Sequence, residues 1–137
     1  MWQREFSIET SASPETIWKL FEDVPGWKKW NAGIEQISMA EPFAEGAQFI
    51  MQPPGQPELT SKLIKVRENE VFEDETIVDD IRVVVAHQLT RLRPNLTRIT
   101  YAAKVTGPAA EEIGTAVTSD FPDVLKSLAS LAERTEP

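Results

Sequence analysis

One segment, Ser11–Asn31 (SASPETIWKLFEDVPGWKKWN), does most to constrain how this chain can fold. Ser13 followed by Pro14 predicts the start of a helix, because serine caps the first turn and proline fits its first position. That helix is expected to end near Asp23, since a proline and a glycine follow and interrupt it. A second, shorter helical turn rich in tryptophan is expected at residues 26–30. The chain therefore needs a fold in which two short helices separate a first strand from the strands that follow.

The sequence on both sides of this segment alternates with the period of two that is typical of half-buried β-strands. Residues 2–10 present one wholly polar face, and the valine-rich run Ile81–Leu92 has a strong β propensity. The loops between such runs are short and contain Pro, Gly, Asn and Asp, which suits hairpins. Seven strands are predicted, at residues 2–10, near 37–39, at 47–51, 58–67, 71–78, 81–92 and 97–105.

Beyond Gly107 and Pro108 the apolar residues recur at intervals of three and four, which predicts one amphipathic helix of about 25 residues. Pro122 falls within it and cannot donate a hydrogen bond to the carbonyl of Thr118, so we expect a kink or a short break there. An antiparallel sheet that buries one face needs a partner, and this helix is the long amphipathic element available. The sequence thus predicts an α+β helix-grip fold. A curved antiparallel sheet of seven strands and two short helices would be joined by a long C-terminal helix, which crosses the concave side without filling it.

Length and charge narrow the class of protein. With 137 residues, a single domain spanning residues 1–137 is expected. The net charge of −8 argues against binding of DNA or RNA, which needs a positive surface. The chain has no cysteine, which excludes disulfides and thiolate chemistry, and no apolar run long enough to span a membrane. The charged N-terminus, MWQREFSIE, is unlike a signal peptide, so a cytoplasmic location is expected.

Three stretches carry a resemblance to a known family. They are SASPETIWKLFEDVPGWKKWN, the strand TRITYAAKVTGP ending in Gly-Pro, and the closing pattern Ile-Gly…Asp-Phe-Pro…Leu…Leu-Ala…Ala-Glu. Together with the order of elements, they resemble the START-like, or SRPBCC, superfamily, and within it the polyketide cyclase/dehydrase-like branch. The resemblance covers nearly the whole chain. It implies a container for hydrophobic molecules, with the ligand between the curved sheet and the C-terminal helix, in a superfamily that includes lipid carriers, aromatase/cyclases, oxygenase domains and co-chaperones.

Three functions follow as hypotheses. The first is binding of a small hydrophobic or aromatic ligand, lipid-like or polyketide-like, in that cavity. The second is a cyclase/dehydratase-like enzyme that uses His87 with Asp74 or Tyr101 as acid–base groups on a bound carbonyl compound. The third is a protein-interaction module, similar to a co-chaperone, in which the interior is filled and an apolar patch is exposed outside it. A homodimer formed through a sheet edge or a Trp-rich surface is compatible with all three.

His87 and Asp74 are the candidates for acid–base chemistry. His87 is the only histidine, and alternation points it inward if Val83, Val85 and Leu89 point inward. There it is either an acid–base group near neutral pH or a core histidine satisfied by a neighbour. The preceding strand has two possible registers. One points Asp74 inward with Phe72, and the other points Glu73 and Glu75 inward instead.

The other candidates are aromatic and apolar residues turned toward the interior. Tyr101 is either a core tyrosine or a pocket residue whose hydroxyl bonds a ligand oxygen. Trp30, like Trp27, either forms a wall at the cavity mouth or staples the short helices to the sheet. Phe121 lies at the turn that a proline disrupts, where a shift would open or close the pocket. The predicted ligand-binding residues are Trp30, Phe49, Met51, Phe72, Asp74, His87, Tyr101 and Phe121.

Neither a metal nor a cofactor is expected. No cluster of His, Asp and Glu has the spacing of metal ligands. The six glycines are isolated and form no phosphate-binding loop, and the single histidine has no local Ser-His-Asp signature around it.

Overall fold

The computed structural model describes residues 1–137 and arranges them as a seven-stranded antiparallel sheet with helices packed against one face. The strands are β1 (Trp2–Thr10), β2 (Gln36–Ser38), β3 (Gln48–Gln52), β4 (Leu59–Arg67), β5 (Val71–Val78), β6 (Ile81–Arg93) and β7 (Leu96–Thr106). The helices are α1 (Pro14–Glu22), a 3₁₀ helix (Val24–Lys29), α2 (Ala110–Thr118) and α3 (Phe121–Thr135). All seven predicted strands are present, each within about one residue of its expected bounds.

The strand order is β1-β7-β6-β5-β4-β3-β2, so the strands from β2 to β7 follow one another as hairpins and β1 pairs with the last of them. The first strand lies at one edge of the sheet and the second at the other. The chain crosses between these edges through α1 and the 3₁₀ helix, and this crossing explains why that segment constrains the fold so strongly. The predicted helix-grip arrangement is confirmed. We call the helix-bearing side of the sheet the covered face and the opposite side the outer face.

The two short helices are held in place by local hydrogen bonds and by contacts between aromatic rings. Ser13 caps α1 as expected, because its Oγ accepts a hydrogen bond from the backbone N–H of Thr16 at 3.2 Å. Trp27 of the 3₁₀ helix donates its indole N–H to the carbonyl oxygen of Phe21 at 2.8 Å. Its ring also stacks on Phe72 of β5, with 5.7 Å between centroids. The 3₁₀ helix is thereby attached to both α1 and the sheet.

The C-terminal amphipathic segment forms two helices with a break at Ser119 and Asp120. Pro122 lies in the first turn of α3, where its missing N–H leaves no helical hydrogen bond unmade. Of the two outcomes that the sequence left open, the short break is the one that occurs. Helix α3 packs on β1 and α1, and α2 packs on β7 and β1. None of the helices is long and apolar enough to cross a lipid bilayer.

Gly107, between β7 and α2, has a φ of +115°, a conformation in which an L residue is strained. A Cβ at this position would also overlap the carbonyl oxygen of Asp80 in the β5–β6 turn. We therefore expect Gly107→Ala to lower the free energy of unfolding by about 2–4 kcal/mol, measured by urea denaturation. Gly46→Ala is the matched control, because Gly46 has a φ of +93° but nothing within 4 Å of the added carbon. The control should lose about 1 kcal/mol, and equal losses would contradict a role for the contact with the turn.

Candidate functional site

Strand pairing brings four rings into one line across the covered face. Phe72 of β5, His87 of β6, Tyr101 of β7 and Phe6 of β1 are register partners in turn, and we call this line the aromatic row. Phe72 and His87 stack with 4.0 Å between centroids and 6° between planes, and His87 meets Tyr101 edge to face at 4.5 Å. Phe72 is 0% exposed and Tyr101 3%. The aromatic row is therefore part of the packed interior.

The next inward-facing residues along the same strands are much smaller. Asp74, Val85 and Ala103 are register partners on β5, β6 and β7, and we call this second line the small row. Valine and alanine rise less from a sheet than aromatic rings do, so we infer that the covered face steps down beside His87 and Tyr101. Val85 keeps 8% of its surface exposed and the Asp74 side chain 14%, whereas Ala103 is 1% exposed, so solvent reaches the end of the step at Asp74 and Val85. The step between the two rows is the candidate site.

Asp74 and His87 face each other across the step. Nε2 of His87 lies 3.8 Å from Oδ2 of Asp74, and Nδ1 lies 3.3 Å from the backbone carbonyl oxygen of Phe72. A carbonyl oxygen only accepts hydrogen bonds, so we assign the imidazole proton to Nδ1. Nε2 then presents its lone pair toward the carboxyl group.

Burial governs the protonation of both groups. It lowers the pKa of His87 to about 3, against a smaller upward effect of the hydrogen bond to the Phe72 carbonyl. It raises the pKa of Asp74 to about 7, and the negative charge of Glu73 adds to that rise. At neutral pH the imidazole is therefore uncharged, and the two groups do not form an ion pair. The carboxyl group, poised between its two forms, is the better acid–base group of the two.

Two buried donors in the hydrophobic cluster have no hydrogen-bond partner, the Tyr101 hydroxyl and the Trp30 indole N–H. Burial raises the pKa of Tyr101 above its ordinary value, and the charges of Asp74 and then Asp120 raise it further, so the hydroxyl senses both carboxyl groups. A buried donor without a partner costs about 1–3 kcal/mol and is uncommon in folded proteins. An acceptor on a bound molecule would remove this cost at either donor.

The break between α2 and α3 supplies the other side of the site. The half-buried ring of Phe121 stands edge to face against Tyr101 at 5.5 Å and against Phe6 at 5.8 Å. Burial raises the pKa of the adjoining Asp120, and the absence of a side chain at Gly33 leaves room for its carboxyl group. Phe121 was named as a candidate from the sequence, and Asp120 was not. The available signal was an acidic residue directly before Phe-Pro at an expected break.

Not all of the predicted lining residues surround an open space. Trp30, Phe49 and Phe72 are at most 4% exposed, and Trp27 contacts all three rings at 5.3–5.9 Å. Over this part of the sheet, aromatic side chains occupy the space that was expected to be unfilled, because the 3₁₀ helix inserts Trp27 there and Trp30 follows directly after it. Trp27 thus acts as a staple, and Met51 is half-buried at the margin of this cluster. The predicted residues that adjoin the step are Asp74, His87, Tyr101 and Phe121.

The register that the sequence left open in β5 is resolved. Asp74 points to the covered face, and Glu73 and Glu75 point to the outer face, where they form ion pairs with Lys65 and Arg82. The outer face also carries an open hollow of about 490 Å³. Its lining residues are Glu5, Ser7, Ile8, Glu9, Gln88, Thr90, Arg98 and Thr100. This hollow is polar and its cation is already paired, Arg98 with Glu9 at 3.4 Å, so the step on the covered face is the stronger candidate.

Comparison with known families identifies the type of chain. A family profile described as "Polyketide cyclase / dehydrase and lipid transport" matches residues 1–133. No curated protein sequence matches the chain. The profile covers almost the whole sequence, so the resemblance inferred from residue patterns is confirmed.

Solved structures of the same fold come from bacteria and a plant. A protein from Mesorhizobium loti superposes with a TM-score of 0.78 and 19% identity, over 98% of this chain and 100% of its own. A START superfamily protein from Mycobacterium smegmatis superposes with a TM-score of 0.76 and 18% identity, over 96% of this chain and 97% of its own. Norcoclaurine synthase from Thalictrum flavum, in complex with dopamine and hydroxybenzaldehyde, superposes with a TM-score of 0.77 and 14% identity, over 99% of this chain and 88% of its own. Identities this low show a START-like fold and nothing finer.

Proposed function

This chain belongs to the family of polyketide cyclases/dehydrases and lipid transport proteins, and on that premise we propose that it binds a small hydrophobic or aromatic molecule at the step between the aromatic row and the small row. The ligand presents an acceptor, such as a carbonyl oxygen, to the Tyr101 hydroxyl. The observation that carries the proposal is that this hydroxyl is buried and has no partner within the protein. An acceptor on the ligand removes the free-energy cost of the unsatisfied Tyr101 donor. This free energy contributes to ligand binding and not to the stability of the free protein.

The ring contacts suggest how such a ligand reaches the site. Phe121 is half-buried and begins α3, directly after the two residues that interrupt the C-terminal helical segment. Its ring lies against Tyr101 and Phe6, at the side of the step opposite Asp74. A rotation of this one side chain widens the step without disturbing the core around Phe72. The ligand's apolar body then rests on Val85 and against the rings.

Removing the Tyr101 hydroxyl separates this binding mode from simple hydrophobic uptake. We expect Tyr101→Phe to weaken the binding of acetylnaphthalene, a ketone, by about tenfold, which corresponds to one neutral hydrogen bond. Binding of ethylnaphthalene, which lacks the carbonyl, should be unchanged. Isothermal titration calorimetry measures both affinities.

The same variant has a second readout that needs no ligand. Because the hydroxyl is unsatisfied in the free protein, its removal should leave the free energy of unfolding unchanged or slightly higher. Thr100→Val, at the neighbouring position of β7 on the outer face, is the matched control and should alter neither ketone binding nor the preference for the ketone. Equal losses for the ketone and the hydrocarbon in Tyr101→Phe would contradict the role of the hydroxyl.

A second candidate function is acid–base catalysis on a bound ketone, and the raised pKa of Asp74 favours it. In this scheme the ionised Asp74 carboxylate takes a proton from the carbon next to the carbonyl, and the carbonyl oxygen becomes an enolate that accepts a hydrogen bond from Tyr101. His87 serves less well as the base, because its pKa lies far below neutrality. The scheme predicts exchange of the acetyl protons of acetylnaphthalene with D₂O, observed by NMR and lost in Asp74→Asn. Exchange at the uncatalysed rate in the unmodified protein would eliminate the enzyme hypothesis and leave the binding proposal intact.

A further inference from the structure

Two acidic residues, Asp74 and Asp120, lie on either side of Tyr101. Asp74 approaches from β5 and Asp120 from the junction of α2 and α3, and the two carboxyl groups belong to opposite sides of the site. Tyr101 lies between them, since its ring contacts His87, the neighbour of Asp74, and Phe121, the residue after Asp120. The imidazole of His87 is uncharged at neutral pH. The site therefore holds two carboxyl groups and no cation of its own.

No basic side chain of the protein neutralises these carboxyl groups. The ion pairs of Lys65, Arg82, Arg91 and Arg98 are made with other glutamates. Arg4 shares the covered face through its pairing with Ala103, but it is exposed, lies over the Phe6 ring at 4.8 Å, and forms an ion pair with neither carboxyl group. A partly buried carboxylate without a counter-ion is costly to maintain.

From this arrangement we propose that the ligand is an aromatic amine whose ammonium group lies between the carboxyl groups of Asp74 and Asp120, while an acceptor atom elsewhere on the ligand takes the hydrogen bond of the Tyr101 hydroxyl. The inference rests on the proposed function and specifies the ligand class. An ammonium supplies the missing positive charge, and the faces of Tyr101 and Phe121 favour a cation further. A ligand bearing a carboxylate, such as a fatty acid, would bring a third negative charge into the same space and should bind more weakly. The net charge of −8 also attracts a cationic ligand and repels an anionic one at long range.

A matched series of three probes tests this selectivity. Phenylpropylamine, phenylpropanol and phenylpropionate share one apolar tail and differ only in the charge of the head group. We expect the amine to bind at least fivefold more tightly than the alcohol, and the acid to bind at least tenfold more weakly than the alcohol. Calorimetric titrations at about pH 8, above the pKa of Asp74 and below that of an alkyl amine, keep both partners charged.

Two variants locate the selectivity. In the double variant Asp74→Asn/Asp120→Asn the three affinities should fall within about twofold of one another, because the amides keep the shape of the site and remove its charge. Glu75→Gln, on the same strand as Asp74 but facing outward, removes one negative charge from the chain and should leave the order of affinities unchanged. This control separates the charge of the site from the net charge of the protein.

The outcomes distinguish selectivity for an amine from the proposed binding of a hydrophobic ligand at the step. Equal binding of the three probes, or tighter binding of the acid, overturns the amine selectivity and leaves the binding site standing. If none of the three probes nor acetylnaphthalene binds, the proposed function fails and the ligand class fails with it. The order of the three affinities in the unmodified protein tests the amine selectivity even if the double variant does not fold.

Discussion

Replacing Phe72 by alanine is expected to lower the free energy of unfolding by about 3–5 kcal/mol, the range for deletion of a fully buried phenylalanine. Phe72 is 0% exposed, and its ring contacts the rings of Phe21, Trp27, Phe43 and His87 at 4.0–5.7 Å. The surrounding rings belong to α1, the 3₁₀ helix, the connection between β2 and β3, and β6, so they cannot all move inward to fill the space. We expect the midpoint of thermal unfolding to fall by roughly 10–15 °C, measured by circular dichroism.

Phe43→Ala is the matched control for this prediction. Phe43 contacts the same cluster, at 5.3 Å from Phe72 and 5.8 Å from Trp18, but it is half-buried. Less surface is removed from a packed environment, so the expected loss is about 1–2 kcal/mol. A loss for Phe72→Ala no larger than that for Phe43→Ala would contradict the central position of Phe72.

The second large effect concerns the dependence of stability on pH. The pKa of Asp74 is raised by folding from 3.8 to about 7, so its contribution is fully present below pH 3.8 and is lost as the pH rises to about 7. The pKa of His87 is lowered from 6.5 to about 3, so its contribution is fully present above pH 6.5 and is lost as the pH falls to about 3. Between about pH 4 and 6.5 the two slopes have opposite signs and nearly cancel.

In the unmodified protein the two pH dependences of the free energy of unfolding nearly cancel. A single substitution at either residue should therefore reveal the pH dependence of the other. Neither shift has the partner residue among its causes, so each group keeps its shift when the other is replaced. In Asp74→Asn we expect stability to rise from about pH 4 to 6.5, and in His87→Gln we expect it to fall over the same range. Each change should amount to roughly 2–3 kcal/mol, from about 1.4 kcal/mol per pH unit. Urea denaturation at a series of pH values measures both profiles.

A nearby substitution shows whether these slopes come from titration or from altered packing. Thr76 follows Asp74 on the same face of β5 and hydrogen-bonds to Ser61 at 2.6 Å. Thr76→Val removes that bond and no titratable group, so it should displace the whole profile vertically and leave its slope unchanged. If the slopes of Asp74→Asn and His87→Gln have the same sign, the protonation states assigned to the pair are wrong.

The fold was largely predictable because its main signals are local. Ser13 and Pro14 start α1 by interactions within four residues, and alternation determines each strand without reference to its partners. Pro122 is a limiting case. Its missing N–H predicts an interruption, but whether the helix bends or breaks depends on the packing of each half, and α3 is held by β1 and α1 while α2 is held by β7 and β1.

The site was less predictable because its residues depend on contacts between distant segments. Strand β5 carries apolar residues on both faces, so only the position of Phe72 among the other rings decides that Asp74 points inward. Asp120 joins the site because the helix breaks beside it and the chain at Gly33 leaves room for it. Phe49 was correctly turned inward by alternation, but periodicity does not report whether an inward residue borders a space or fills it. Trp27 fills it here.

The arrangement of the covered face in parallel rows has a consequence for how such chains diverge. The ring contacts that hold the fold run along one line, and the side chains that set the depth of the adjoining step run along the next. A lineage that exchanges Val85 or Ala103 for a larger or smaller residue changes the volume of the recess and leaves the stacked rings in place. Drift at such positions alters the shape of the covered face without eroding the architecture, which accords with a backbone shared by proteins that have fewer than one residue in five in common with this chain.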